Sequence, residues 1–187
     1  MIPSRVCHLY PGSRFQGEQT SGSHSYSVIV DIKHVDLNQS TLSGYLLIKN
    51  LTPDYPKLTT FFDAEIIGPE FSFLTKKWDA TEETDEEHWT QFSSFEGVVN
   101  LRDMERDFKY DFNNRDVVFM RWKEHFLVPD HRIEGVQGAS FAGFYYICYQ
   151  KITGKIKGYY YHQSSEKFQK LELDHVTERS FGSYEFR

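Results

Sequence analysis

At 187 residues, with 39% hydrophobic and 26% charged side chains, the chain is long enough for one domain with a real core and is globular rather than disordered. A net charge of −6, with no run of Lys or Arg, argues against a general nucleic-acid or anionic-membrane binder, since both need a positive surface. Aromatics reach 17%, with 16 Phe and 12 Tyr, which suits pleated, half-buried β surfaces.

Residues 1–25 carry turn signals (Pro11-Gly12, Ser21-Gly22-Ser23) and read as an irregular arm holding at most one short strand. From Tyr26 the pattern alternates: Tyr26, Val28, Val30 and Ile32 share one face of a strand, although Ile29 interrupts the polar side. A turn over Asp36–Gln39 leads to a second strand in which Leu42, Gly44, Leu46 and Ile48 share a face, completing a hairpin. Thr52-Pro53-Asp54-Tyr55-Pro56 ends it, and Leu58–Ile67, rich in Thr, Phe and Ile, is a third strand. Acidic residues from Asp79 to Glu87, followed by Trp89, Phe92 and Phe95 at helical spacing, predict a helix whose acidic run is a solvated face. Leu101, Met104 and Phe108 suggest a second short helix, so that an insertion near 79–112 plugs or flanks the sheet.

Strands resume at Val117–Val128, Ala142–Gln150, Lys155–His162 and Phe168–Val176, separated by turn chemistry such as Thr153-Gly154. Seven or eight strands with short turns, and no repeat or linker, predict a mainly β domain over 26–187. Its architecture is an antiparallel closed barrel of about eight strands, wide enough to hold one small ligand in its mouth. Cys7 and Cys148 allow one disulfide at most. Cys148 lies in an apolar run and reads as a free core thiol. No segment has the ~18 apolar residues of a membrane span and the start lacks a signal-peptide pattern. The expected compartment is the cytosol or nucleus, and the sequons at Asn38 and Asn50 are read as accidental.

One strand carries an anomaly. In Val117–Val128, Phe119, Arg121, Lys123, His125 and Leu127 fall on one face; Val118, Met120, Trp122, Phe126 and Val128 share the other with Glu124. The second face is apolar but for Glu124. A one-residue slip would bury Arg121 and Lys123, so those two are kept on the outer, unburied face and the carboxylate points into the core or a cavity. No inward Lys or Arg on the assigned strands pairs with it. Either Glu124 reaches water or backbone donors at the strand's end, or its partner is a cation brought by a ligand, which aromatic walls would also attract. In Lys155–His162, Ile156, Gly158, Tyr160 and His162 share a face. Both faces of Ala142–Gln150 are apolar, so periodicity leaves the direction of Tyr145 open, and simple core packing is an alternative for both tyrosines. Gly138-Ala139-Ser140-Phe141-Ala142 is a poor nucleophile elbow, because a strand follows where a helix is needed. The His residues form no metal motif, and no phosphate-binding glycine pattern occurs, so neither metal nor cofactor is expected.

Several stretches are familiar in order: Leu58-Thr59-Thr60-Phe61-Phe62, Lys77-Trp78-Asp79-Ala80, Val118-Phe119-Met120-Arg121-Trp122-Lys123-Glu124, Phe126-Leu127-Val128-Pro129-Asp130-His131, Gly138 to Cys148, Gly158-Tyr159-Tyr160-Tyr161-His162 and Tyr184-Glu185-Phe186-Arg187. From about Tyr10 to the last residue they closely resemble the substrate-receptor family of the glucose-induced-degradation E3 ubiquitin ligase (the CTLH complex of animals), also called the vacuolar import and degradation family. The resemblance implies a β-barrel with inserted helices that binds proteins beginning with proline, or another apolar residue, at a free N-terminus, and no catalysis of its own. It assigns Glu124 to the terminal ammonium and Tyr145 to the same amine. Gln19, Gly138, Ser140, Phe141 and Tyr160 would bond or pack along the following residues, while Val28, Leu46, Ile48, Leu51 and Leu58 would line the pocket. Tyr184, Glu185, Phe186 and Arg187 would dock on the ligase's armadillo-repeat scaffold. The region 96–114 and the loops after Ile133 and Lys151 depart most from the family. The alternative is a barrel that carries an amine or apolar metabolite and has no ligase role; it would have no need of the tail.

Overall fold

The computed structural model describes residues 7–96, 110–128 and 141–177. Eight strands form one antiparallel meander: β1 (Arg14–Ser21), β2 (His24–Asp36), β3 (Thr41–Thr52), β4 (Tyr55–Ile66), β5 (Val117–Val128), β6 (Phe144–Gln150), β7 (Lys155–Tyr161) and β8 (Gln169–His175). Each pairs with the next, and β8 returns to β1, so the sheet is a closed barrel without free edges. The seam runs through the stretch that reads as an arm. β1 pairs along its whole length with β2 and from Phe15 to Thr20 with β8. Its central Gly17 is required there, because a Cβ would lie 1.9 Å from the Glu172 carbonyl oxygen.

The alternation read from sequence sets the inward face. Val28, Val30 and Ile32 of β2 meet Leu46 and Ile48 of β3, then Leu58 and Phe62 of β4, all buried. Met120 and Trp122 continue the face on β5, Tyr145, Ile147 and Tyr149 on β6, Ile156 and Tyr160 on β7, and Leu171 and Leu173 on β8. Cys7 and Cys148 are both free, and Cys148 is buried.

The outer faces of β6 and of β5 as far as Arg121 are buried too, which is why both faces of β6 read as apolar. The segment after β4 folds over them and carries α1 (Glu82–Trp89), capped by the Thr81 hydroxyl on the Thr84 N–H, and α2 (Ser93–Glu96). The helical spacing from Asp79 to Phe95 therefore spans two helices broken at Thr90–Gln91. The second helix expected around Leu101–Phe108 lies outside the described residues. Phe73 packs edge-on against Trp89, Phe95, Tyr110 and Phe119, making a second aromatic core outside the barrel.

Three expectations are corrected here. Arg121 does face outward but is only 2% exposed. It donates to Glu65 at 2.9 Å, to the Ser72 carbonyl at 2.9 Å and to Thr75 at 3.3 Å. Asp85 is not on a solvated face, since it is buried and accepts from the Thr75 N–H, the Thr75 hydroxyl and Tyr146 at 2.8, 2.5 and 2.7 Å. Finally, Phe126, Leu127 and Val128 exchange faces. Phe61 pairs with Phe126 but Phe62 pairs with Glu124, so a β-bulge at His125 inserts one residue and reverses the alternation beyond it.

Candidate functional site

A cavity opens at the end of the barrel where the β3–β4 hairpin, the end of β5 and the start of β6 meet. Gln19, Leu46, Ile48, Leu51, Leu58, Thr60, Glu124, Leu127, Phe141 and Tyr145 line it. It is a narrow cleft of about 50 Å³, the space of one or two waters. The walls are mostly apolar, and Gln19, Thr60, Glu124 and Tyr145 supply the polar groups.

Glu124 is 6% exposed and accepts a short hydrogen bond from the Thr60 hydroxyl. Burial pushes its carboxyl from 4.5 up to about 7, against the opposing pull of Thr60 and of the Lys123 ammonium. Thr60 was not singled out by the sequence reading, yet its signal is simple. It alternates between Leu58 and Phe62 and so must face inward. Leu127 was missed because only the bulge turns it inward.

Tyr145 points into the barrel, which resolves the direction that periodicity left open. Its hydroxyl donates to Gln19 Oε1 at 2.7 Å across the cavity. Burial and the neighbouring Glu124 hold its pKa well above the ordinary tyrosine value, so the hydroxyl stays protonated. With its hydrogen directed at Gln19, the oxygen turns lone pairs elsewhere, available to a donor entering the cavity. Tyr160 packs edge-on to Tyr145 with ring centroids 5.2 Å apart, and its hydroxyl accepts the Gly143 N–H at 2.8 Å. Gly143 itself is wedged against β7: a Cβ would lie 2.0 Å from the Tyr161 carbonyl oxygen.

The structure thus brings together Gln19, Leu46, Ile48, Leu51, Leu58, Glu124, Phe141 and Tyr145. Val28 also points inward but packs in the core beside Ile48, and Tyr160 supports the rim through Gly143. Gly138, Ser140 and Tyr184–Arg187 lie outside the described residues. The cavity lining holds one acid and, among the described residues, no cation. Such a site suits an entering ammonium: one carboxylate, a hydroxyl acceptor and apolar walls for whatever the ammonium is attached to. A wider groove of about 430 Å³ lies outside the barrel between α2 and β6–β8. It offers Lys155, Lys157 and Lys170 and no carboxylate among its lining residues.

Residues 8–176 match the model of the vacuolar import and degradation protein family. The chain belongs to that family. Among family relatives, it is 55% identical over 180 residues to the glucose-induced degradation protein 4 homolog of Mus musculus, covering 96% of this chain and 82% of that one. It is 40% identical over 189 residues to the GID complex substrate-recognition subunit 4 of Schizosaccharomyces pombe (96% and 97% covered). Against the subunit of the same name in Saccharomyces cerevisiae it is 36% identical over 245 aligned positions (97% and 67% covered). The closed barrel and the two helices among the described residues are this family member's frame for the cavity acid.

Proposed function

We propose that this chain is the substrate-recognition subunit of a multi-subunit E3 ubiquitin ligase of the GID (CTLH) type, and that its cavity captures the free N-terminus of proteins beginning with proline or another apolar residue. It performs no chemistry; ubiquitin transfer belongs to other subunits, and the captured protein passes to the proteasome. The relatives named as substrate-recognition subunits support the receptor role. The observation that carries the N-terminal reading is the buried Glu124, facing an apolar cleft whose lining, among the described residues, supplies no cation.

In this reading the substrate's terminal ammonium pairs with Glu124 and donates to the Tyr145 hydroxyl. Proline fits because its charged secondary amine carries two N–H donors, one for each acceptor, and because its fixed φ leaves less entropy to lose. Its ring packs on Leu46, Ile48, Leu58 and Leu127, and the cleft of about 50 Å³ widens to take it. The tail Tyr184-Glu185-Phe186-Arg187 docks on the armadillo-repeat scaffold of the ligase, in the cytosol or nucleus.

The test is a fluorescence-polarisation titration of a peptide with free N-terminal proline and an apolar second residue against its N-acetylated twin. Acetylation removes the charge and leaves Glu124 buried without a partner. A loss of ~2–5 kcal/mol is expected, roughly 30- to several-thousand-fold in affinity. Equal binding of the two peptides would refute amine recognition. Binding of neither would favour a carrier barrel.

A further inference from the structure

Lys123 stands one residue before Glu124 and on the other side of β5, outside the barrel. Its ammonium is half-buried, yet it does not pair with the cross-strand Asp63, which instead accepts from His125 at 2.9 Å. It donates to two backbone carbonyls: that of Glu124 at 2.7 Å, and that of Phe141, shortly before β6, at 3.1 Å. Two residues further on, Tyr160 holds the Gly143 N–H from inside the barrel. The rim segment 141–143, which presents Phe141 to the cavity, is therefore fixed from both sides of the wall.

Desolvating an ammonium to reach carbonyl oxygens is costly unless the geometry it secures matters, and a solvent-facing lysine would be the cheaper choice at this position. We propose that Lys123 is a positioning residue of the N-terminus site: it anchors the Phe141 carbonyl so that the rim keeps its shape, and its positive charge favours the ionised carboxylate of Glu124. The inference rests on the reading of the cavity as an amine site. The groups around this pair are few. Lys123 faces Asp63 and His125, while Glu124 faces Thr60 from β4 and Tyr145 from β6, with Tyr160 behind. Lys123, whose ammonium is bonded to the carbonyl of Glu124 itself at 2.7 Å, is thus a cation held beside that carboxylate.

Three variants separate the two roles. Lys123→Met keeps the aliphatic stem and loses both roles. Lys123→Gln keeps a donor without charge, and Lys123→Arg keeps both. Each is titrated with the free-proline peptide from pH 5.5 to 8, and the free protein is followed by hydrogen exchange at residues 142 and 143. Lys123→Met should bind about 10-fold more weakly at neutral pH, as expected for losing a charge-assisted hydrogen bond. Its acid limb should move to higher pH, and the rim amides should exchange faster. Lys123→Arg should recover most of the affinity. Wild-type affinity, acid limb and exchange in Lys123→Met would overturn the proposal. If Lys123→Met does not fold, an unshifted acid limb in Lys123→Gln would overturn the electrostatic role. A wild-type protein that binds acetylated peptide equally well would sink the amine reading instead, while the exchange data would still judge the anchoring of the rim.

Discussion

Replacing Glu124 by Gln tests whether the acid is held for a ligand or for the fold. In the free protein, burial moves the carboxyl from 4.5 to about 7. Between those values the native state retains a proton that the unfolded chain has released. The unfolded chain then binds fewer protons, so stability falls as pH rises. The contribution is complete below about pH 4.5 and is lost as pH passes 7. At about 1.36 kcal/mol per pH unit, that interval corresponds to about 3 kcal/mol of lost stability by pH 8. Gln keeps the size and an acceptor for the Thr60 hydroxyl but has no charge to desolvate. Glu124→Gln should therefore match the wild type at pH 4.5. At pH 8 it should melt roughly 6–12 °C higher, measured by calorimetry at the two pH values.

The same variant should lose the free-amine peptide by ~2–5 kcal/mol. The wild type should show a bell-shaped affinity profile. Its acid limb follows Glu124, about tenfold per pH unit below 7, and its alkaline limb follows the peptide amine near 8. Glu124→Gln should abolish the acid limb. Lower stability of the variant at pH 8 would refute the reasoning: Glu124 would then be a satisfied structural ion, and its place in the cavity would say nothing about ligands.

The barrel seam and the tail give two further tests. Gly17→Ala drives a Cβ into the Glu172 carbonyl between β1 and β8, and should cost at least about 3 kcal/mol in urea denaturation; an unchanged midpoint would mean that the seam spreads freely. Deleting residues 184–187 should leave peptide affinity unchanged and abolish co-elution with the ligase scaffold, and retained co-elution would refute the docking role of the tail.

Period-two alternation made most of the barrel legible, because β2, β3 and β4 bury one face and a slip would expose it. It failed wherever a tertiary layer covered the second face. Arg121 and Asp85 read as surface residues, and nothing local distinguishes a solvated Arg from one buried against Glu65, Ser72 and Thr75. β1 was obscured for another reason. Gly17, Glu18 and Gln19 lack strand character, and the strand is held by neighbours on both sides rather than by its own propensity. The acid itself was plain, being the one charge in an apolar stripe, whereas the direction of Tyr145 needed the register with Trp122 and Tyr160.

The bulge at His125 is the step that joins the fold to the site. In a regular strand Glu124 would be followed inward by Phe126, and two bulky residues on either side of the acid would fill the barrel end. With one residue inserted, Phe126 leaves the interior and stacks on Phe61 outside, ring centroids 5.2 Å apart, while His125 takes Asp63. Leu127, smaller and one position further along, becomes the next cavity wall after Glu124. The two features an amine site requires, a desolvated carboxylate and room in front of it, thus have a common origin in one extra residue. Its cost in ladder pairing falls at the rim, where β5 has nearly ended and stability depends on it least.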